Sequence, residues 1–133
     1  MAQLESRAII QARRQELWHR YNDGLASWSA RGGVALPFVP THCEQAYHMF
    51  YALMPSLSSR QLLISSLARA GILGVFHYLP LNRSEMAHRV GSAAHCPVTE
   101  DVSDRLVRLP FFPALTDAEQ GDVMEAIQKV PLP

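Results

Sequence analysis

The stretch Gly71-Ile-Leu-Gly-Val-Phe-His-Tyr-Leu-Pro-Leu81 sets the tightest limit on what this chain can fold into. It follows a helical pattern ending at Ala70, carries β-branched and aromatic residues, and meets Pro80, which cannot donate to a sheet ladder. It reads as a buried strand. Neighbouring strand residues point to opposite faces, so one of His77 and Tyr78 is expected to face the core and the other a surface or cleft. The pair is the first candidate for chemistry.

The rest of the chain arranges itself around that strand. From Ala2 to about Leu25, the residues Leu4, Ala8, Ile9, Ala12, Leu17, Tyr21 and Leu25 recur near helical spacing, with Glu5, Arg13, Arg14, Glu16 and Arg20 on the other face. A helix that begins this close to Met1 suggests a chain cut from something longer. Gly24, Gly32 and Gly33 read as breakers, and residues 26–43 as a connector with an extended, proline-flanked piece at Leu36–Pro40.

Glu44–Met54 shows aromatic residues on both faces, the mark of a central or covered strand that Pro55 ends. Ser56 or Ser58 caps a helix through Leu62, Leu63 and Leu67 to Gly71. Asn82–Ala94 is polar, with a short helix expected over Ser84–Val90. Thr99 opens a helix over Val102, Leu106 and Val107, and Leu109–Pro113 reads as a short extended segment. Thr116-Asp-Ala-Glu119 is a capping box for a last helix that Pro131 ends. The expected fold is α+β: a small sheet of about three strands covered by helices on one face, forming a single domain over residues 1–133 with its α/β core at 44–130.

Charge and composition narrow the function. Twelve basic and twelve acidic residues cancel, so no overall field favours nucleic acid or an anionic membrane as partner. No apolar run approaches membrane-spanning length and no export signal opens the chain, so a cytoplasmic protein with free thiols at Cys43 and Cys96 is expected. Eleven of the twelve cations are Arg, leaving Lys129 as the one lysine for covalent cofactor chemistry. It falls on a terminal helix that reads as surface.

Among candidate sites, His42-Cys43 and His95-Cys96 combine with His48 or His88 only at spacings foreign to zinc sites, so no metal is expected. A Cys-His nucleophile pair lacks a visible orienting group. His48 reads either as a hydrogen-bonded core or cleft histidine or as a functional one. Arg105 and Arg108, three apart on an expected helix, read either as a phosphate clamp or as a solvated face. The residues alone say a small α+β domain with one polar cleft.

Four ordered motifs add a resemblance: Pro40-Thr-His-Cys43, Ala46-Tyr-His-Met-Phe-Tyr51, Ala70-Gly-Ile72 running into Val75-Phe-His-Tyr-Leu-Pro-Leu81, and Ser103-Asp-Arg-Leu-Val-Arg-Leu-Pro110 with Pro113-Ala-Leu-Thr-Asp117. Nearly end to end, the chain resembles the C-terminal small domain of the pyridoxal-phosphate sugar aminotransferases of the DegT and StrS type. The resemblance implies a sheet-and-helix layer like the small domain of an aspartate-aminotransferase-type enzyme. It implies a substrate side that includes His77, Tyr78, Asn82 and His48, with a dTDP-sugar as ligand. It also implies that the cofactor's lysine, aspartate and phosphate contacts belong to a large domain, so that this chain carries no catalytic or cofactor-binding residue and is inactive as a transaminase by itself.

One position departs from the pattern: the family commonly has histidine after the Pro-Leu of the third motif, and Asn82 stands there. An amide cannot titrate near neutrality as imidazole does. The alternative implied by the same resemblance is a binding or oligomerisation module, whose exposed packing face is covered by self-association or by a separate large domain.

Overall fold

The computed structural model describes residues 2–91 and 94–131. In chain order the elements are α1 (Ala2–Glu5), α2 (Arg7–Gly32), β1 (Tyr51–Leu53), α3 (Leu57–Arg69), β2 (Val75–Phe76), α4 (Glu85–Arg89), α5 (Pro97–Arg105), β3 (Leu106–Arg108) and α6 (Asp117–Gln128). The strands form one antiparallel sheet in the order β1-β3-β2. The α+β class and the three-stranded sheet are as expected.

The first helix is longer and differently used than its pattern suggests. Leu4 and Ile9 are exposed, and burial begins only at Leu17, continuing through Trp18, Tyr21, Leu25 and Trp28. The helix runs straight through Gly24 because α6 crosses there: a Cβ on Gly24 would lie 2.5 Å from Met124 Sδ, and Gln128 donates to the Gly24 carbonyl at 3.0 Å. Glycine at this position is a close-approach residue rather than a breaker. The stop comes at Gly33, whose φ of 60° and N–H bond to the Ser29 carbonyl make a left-handed cap. The connector is correspondingly shorter than residues 26–43.

The strands expected over Glu44–Met54 and Gly71–Leu81 are both shorter than their patterns, and neither is central. Within the expected strand at Glu44–Met54 only Tyr51–Leu53 pairs, since Tyr47 adopts a φ of 43° and breaks the extended run. This strand is at an edge of the sheet, its outer side met by a single bridge to Ala35. Its aromatic neighbours pack on helices instead: Trp18 lies edge-on to Phe50 and Tyr47.

The Gly71–Leu81 run yields only Val75–Phe76, again an edge, with Val75 half-buried and Phe76 exposed. Residues 71–74 are spent leaving α3, with Gly71 at a φ of 74° and the Ile72 N–H on the Leu67 carbonyl. Past Phe76 the Tyr78 carbonyl accepts from the Ser103 hydroxyl at 3.2 Å, so the chain is tied to α5 rather than to a strand.

The central strand is the one read as the end of a helix. α5 stops at Arg105, and Leu106–Arg108 pairs on both sides, with Tyr51 and Val75 opposite Arg108. Val107 is fully buried and packs with Leu63, Leu67, Phe50 and Ile127. Thus Ala52 and Val107 face the core beneath α2, α3 and α6, whereas Tyr51, Val75 and Arg108 lie on the opposite, half-buried face.

The caps follow their sequence signatures. Ser56 caps α3 and Ser84 caps α4 through their hydroxyls. Thr116 and Glu119 complete the reciprocal capping box of α6. Ser92 and Ala93, at the end of the polar segment Asn82–Ala94, lie outside the described residues, as does Met1.

Candidate functional site

In place of the expected polar cleft, a mostly apolar recess forms where β2 ends and α5 passes beside it. A cavity of about 400 Å³ is walled by His77, Tyr78 and Pro80 on one side and by Val98, Val102 and Leu106 on the other. The two walls come from segments about twenty-five residues apart, joined by the Ser103-to-Tyr78 hydrogen bond. Most of the lining is apolar, which suits the hydrophobic face of a ligand.

His77 and Tyr78 both line this cavity, and neither enters the core: His77 is half-buried and Tyr78 is 73% exposed. The expected alternation between core and cleft fails because the strand ends at Phe76. The two rings meet edge-on, 4.8 Å apart at 64°. His77 Nδ1 is buried with no hydrogen-bond partner among the described residues.

Asn82 sits behind the wall. Its amide donates to the Ala94 carbonyl at 2.9 Å and to Glu100 Oε1 at 2.7 Å, both within the protein. Glu100 is the hub of this corner: Oε1 also accepts from the Cys96 N–H at 3.0 Å, and Oε2 pairs with Arg83 at 2.9 Å. These donors, the Cys96 amide first and the Arg83 guanidinium next, hold the Glu100 carboxyl at about 2. The hub fastens the segment after Pro80 to the first turn of α5, the helix that forms the far wall. In the sequence Glu100 is marked only by its place in the first turn of α5, four residues after Cys96.

The remaining candidates are not brought together. His48 is exposed, outside any strand, and is not part of the cavity lining. The supposed Arg105 and Arg108 clamp is split by the helix-to-strand change. Arg105 is consumed by Asp101 and by the Met54 carbonyl at 3.1 Å, while Arg108 lies in β3 with its guanidinium 5.7 Å from the Tyr78 ring centroid. Cys43 and Cys96 are free thiols. Among the described residues, no three His, Cys, Asp or Glu side chains are placed to hold a metal, and no helix is long and apolar enough to cross a membrane.

Lys129 does not fit a covalent cofactor site. Its side chain is 72% exposed and paired with Glu125 at 2.6 Å, against a cavity walled by Arg69 and Asp122 that shares no residue with the His77 cavity. A covalent cofactor site needs a sequestered amine, and this one is exposed and ion-paired.

Comparison with known proteins gives the context. A profile of the DegT/DnrJ/EryC1/StrS aminotransferase family matches residues 1–128. The UDP-N-acetyl-3-dehydro-alpha-D-glucosamine 3-aminotransferase of Acidithiobacillus ferrooxidans is 30% identical over 115 residues, covering 82% of this chain and 31% of that protein. The dTDP-3-amino-3,4,6-trideoxy-alpha-D-glucose transaminase of Micromonospora megalomicea is 31% identical over 123 residues, covering 90% and 32%. Among solved structures, a protein described as a sugar aminotransferase, Spr1654 from Streptococcus pneumoniae, in its PLP form, superimposes with a TM-score of 0.78 at 25% identity, covering 97% of this chain and 33% of that one. The chain therefore spans about a third of the length of the relatives it matches.

Proposed function

The chain belongs to the DegT/DnrJ/EryC1/StrS aminotransferase family, and from that premise we propose that it is the small-domain portion of a nucleotide-sugar aminotransferase, acting as one domain that supplies the substrate side of the active site. In the complete enzyme, pyridoxal phosphate would carry the amino group from an amino acid to a keto sugar. This chain's part is to bind and orient. The cavity's apolar wall would seat the sugar ring, with the His77 imidazole and the Tyr78 hydroxyl as hydrogen-bonding groups at its rim.

One observation carries this reading: the cavity is walled by two of the four motifs on which the family likeness rests, Val75–Leu81 and the segment running into Ser103–Pro110. Asn82 then acts indirectly, through Glu100, by holding the wall, and His48 lies off the direct path to the sugar. Since Lys129 is solvated and ion-paired, the isolated chain would not transaminate. A stoichiometric absorbance band on mixing with pyridoxal phosphate, abolished by Lys129→Ala, would overturn that. Titration with a dTDP-sugar, followed by amide shifts at His77 and Tyr78, tests the binding role directly.

A second reading as an assembly module has its own support. Leu73, Leu79, Leu81 and Val98 are each more than two-thirds exposed around the same corner, and such apolar surface is commonly covered by another chain or domain. Self-association or a separately encoded large domain would cover it. Sedimentation of a dilute sample as a strict monomer that binds no hydrophobic dye would remove this reading.

A further inference from the structure

Resting on the reading of the His77 and Tyr78 cavity as a ligand face, we propose that Arg108 is the anion-recognition residue of that face, receiving a carboxylate or phosphoryl oxygen of the bound molecule. The register places it. Val107 is directed into the core, so Arg108 lies on the opposite face, between Tyr51 and Val75 in the cross-strand row.

Among the described residues Arg108 is distinguished by position: its charge is uncommitted, as are those of Arg7, Arg14 and Arg31, but of these it alone lies against a ring that lines the cavity. Arg13, Arg20, Arg83, Arg89 and Arg105 each have a carboxylate within ion-pair distance. Arg108 has none, nor any hydrogen-bond acceptor, among the described residues. Its planar fork of donors is therefore free to take an anion. The Tyr78 ring holds the group from one side at 5.7 Å, which orients the fork without using its donors. Because Tyr78 also lines the cavity and touches His77, the cation, the aromatic ring and the apolar recess form one continuous surface. A molecule with an apolar body and one anionic end matches it. The net charge of the chain is zero, so attraction of that end is local to Arg108 rather than a property of the whole surface.

The test is an amide-shift titration of the full chain at constant ionic strength with glutarate, inorganic pyrophosphate and neutral glucose. Saturable shifts at residues 75–78 and 107–109 are expected with at least one anion and not with glucose. Glutarate alone would assign a carboxylate, and pyrophosphate alone a phosphoryl group. Arg108→Gln should weaken that binding about tenfold or more, as loss of a charged hydrogen bond does. Arg108→Lys should retain part of it, having the charge without the fork. Undiminished binding in Arg108→Gln, or shifts that never saturate, would overturn the assignment. A parallel titration with dTDP-glucose separates the two claims. Shifts at His77 and Tyr78 that are equal in both proteins sink Arg108 and spare the cavity reading. Pyrophosphate saturation at Arg108 with no dTDP-glucose effect at His77 does the reverse.

Discussion

Tyr21, fully buried in the middle of α2, donates its phenolic hydrogen to the carbonyl of Pro110 at 3.0 Å, so the long helix is tied directly to the chain just beyond the central strand. The bond serves a carbonyl that β3 no longer pairs, and burial pushes the phenol well above its ordinary pKa. The same ring lies 5.1 Å from Phe50 at the entry to β1. One side chain thus fixes the helix against the end of the antiparallel β1–β3 pair where Phe50 and Pro110 come together.

Tyr21→Phe should therefore lower stability by about 1 kcal/mol, the usual net cost of a lost buried hydrogen bond. The packing of the ring is kept, so urea unfolding should show a lower midpoint with an unchanged slope.

Gly74 is needed for space. A Cβ there would lie 2.8 Å from Leu67 Cδ1, and Leu67 is itself fully buried and cannot swing away. Gly74→Ala should destabilise by about 1–3 kcal/mol, the range for overpacking a tight core, with amide shifts at Leu67 and Val107 reporting the displacement. Gly24→Ala is the contrast. Its close neighbour is the flexible end of Met124, so the side chain can move and the helix gains from alanine; a cost as large as that at Gly74 would contradict this account.

Glu100 predicts a pH dependence of defined sign. Its carboxyl is held at about 2 in the folded protein against an ordinary 4.5. Its contribution is therefore present above pH 4.5 and is lost as pH falls through about 2, since the unfolded chain takes up the proton first. In Glu100→Gln that segment of the stability–pH curve should flatten. The Asn82 side-chain amide resonances should move with the same midpoint, near 2, in the unmodified protein.

Thr116 both accepts from the Glu119 N–H at 3.2 Å and donates to its carboxylate at 2.7 Å. Thr116→Ala should cost about 1 kcal/mol, as N-cap removal generally does. Glu119, whose pKa is lowered first by the Thr116 hydroxyl, should titrate closer to a free glutamate in the variant.

Caps and helices were legible because their determinants are local. Ser56, Ser84 and the Thr116–Glu119 box act within one turn, and the motif residues lining the cavity could be read in order along the chain. The α+β class followed from the same patterns.

What lay beyond one-dimensional reading was every decision made by a neighbour distant in sequence. Gly24 looks like a breaker until α6 is seen crossing it at Met124. Leu106–Arg108 continues a helical pattern until Tyr51 and Val75 arrive on either side to pair it, and that pairing makes it the central strand. Glu44–Met54 and Gly71–Leu81 carry the residues of long strands, yet backbone hydrogen bonds need partners, and only Tyr51–Leu53 and Val75–Phe76 find them. By itself, the sequence determined where turns begin and helices are capped, because those energies are spent within a few residues. The tertiary structure alone decided which strand is central, which arginine lies against the Tyr78 ring, and that His77 and Tyr78 share one cavity, because each depends on contacts between segments brought together only by folding.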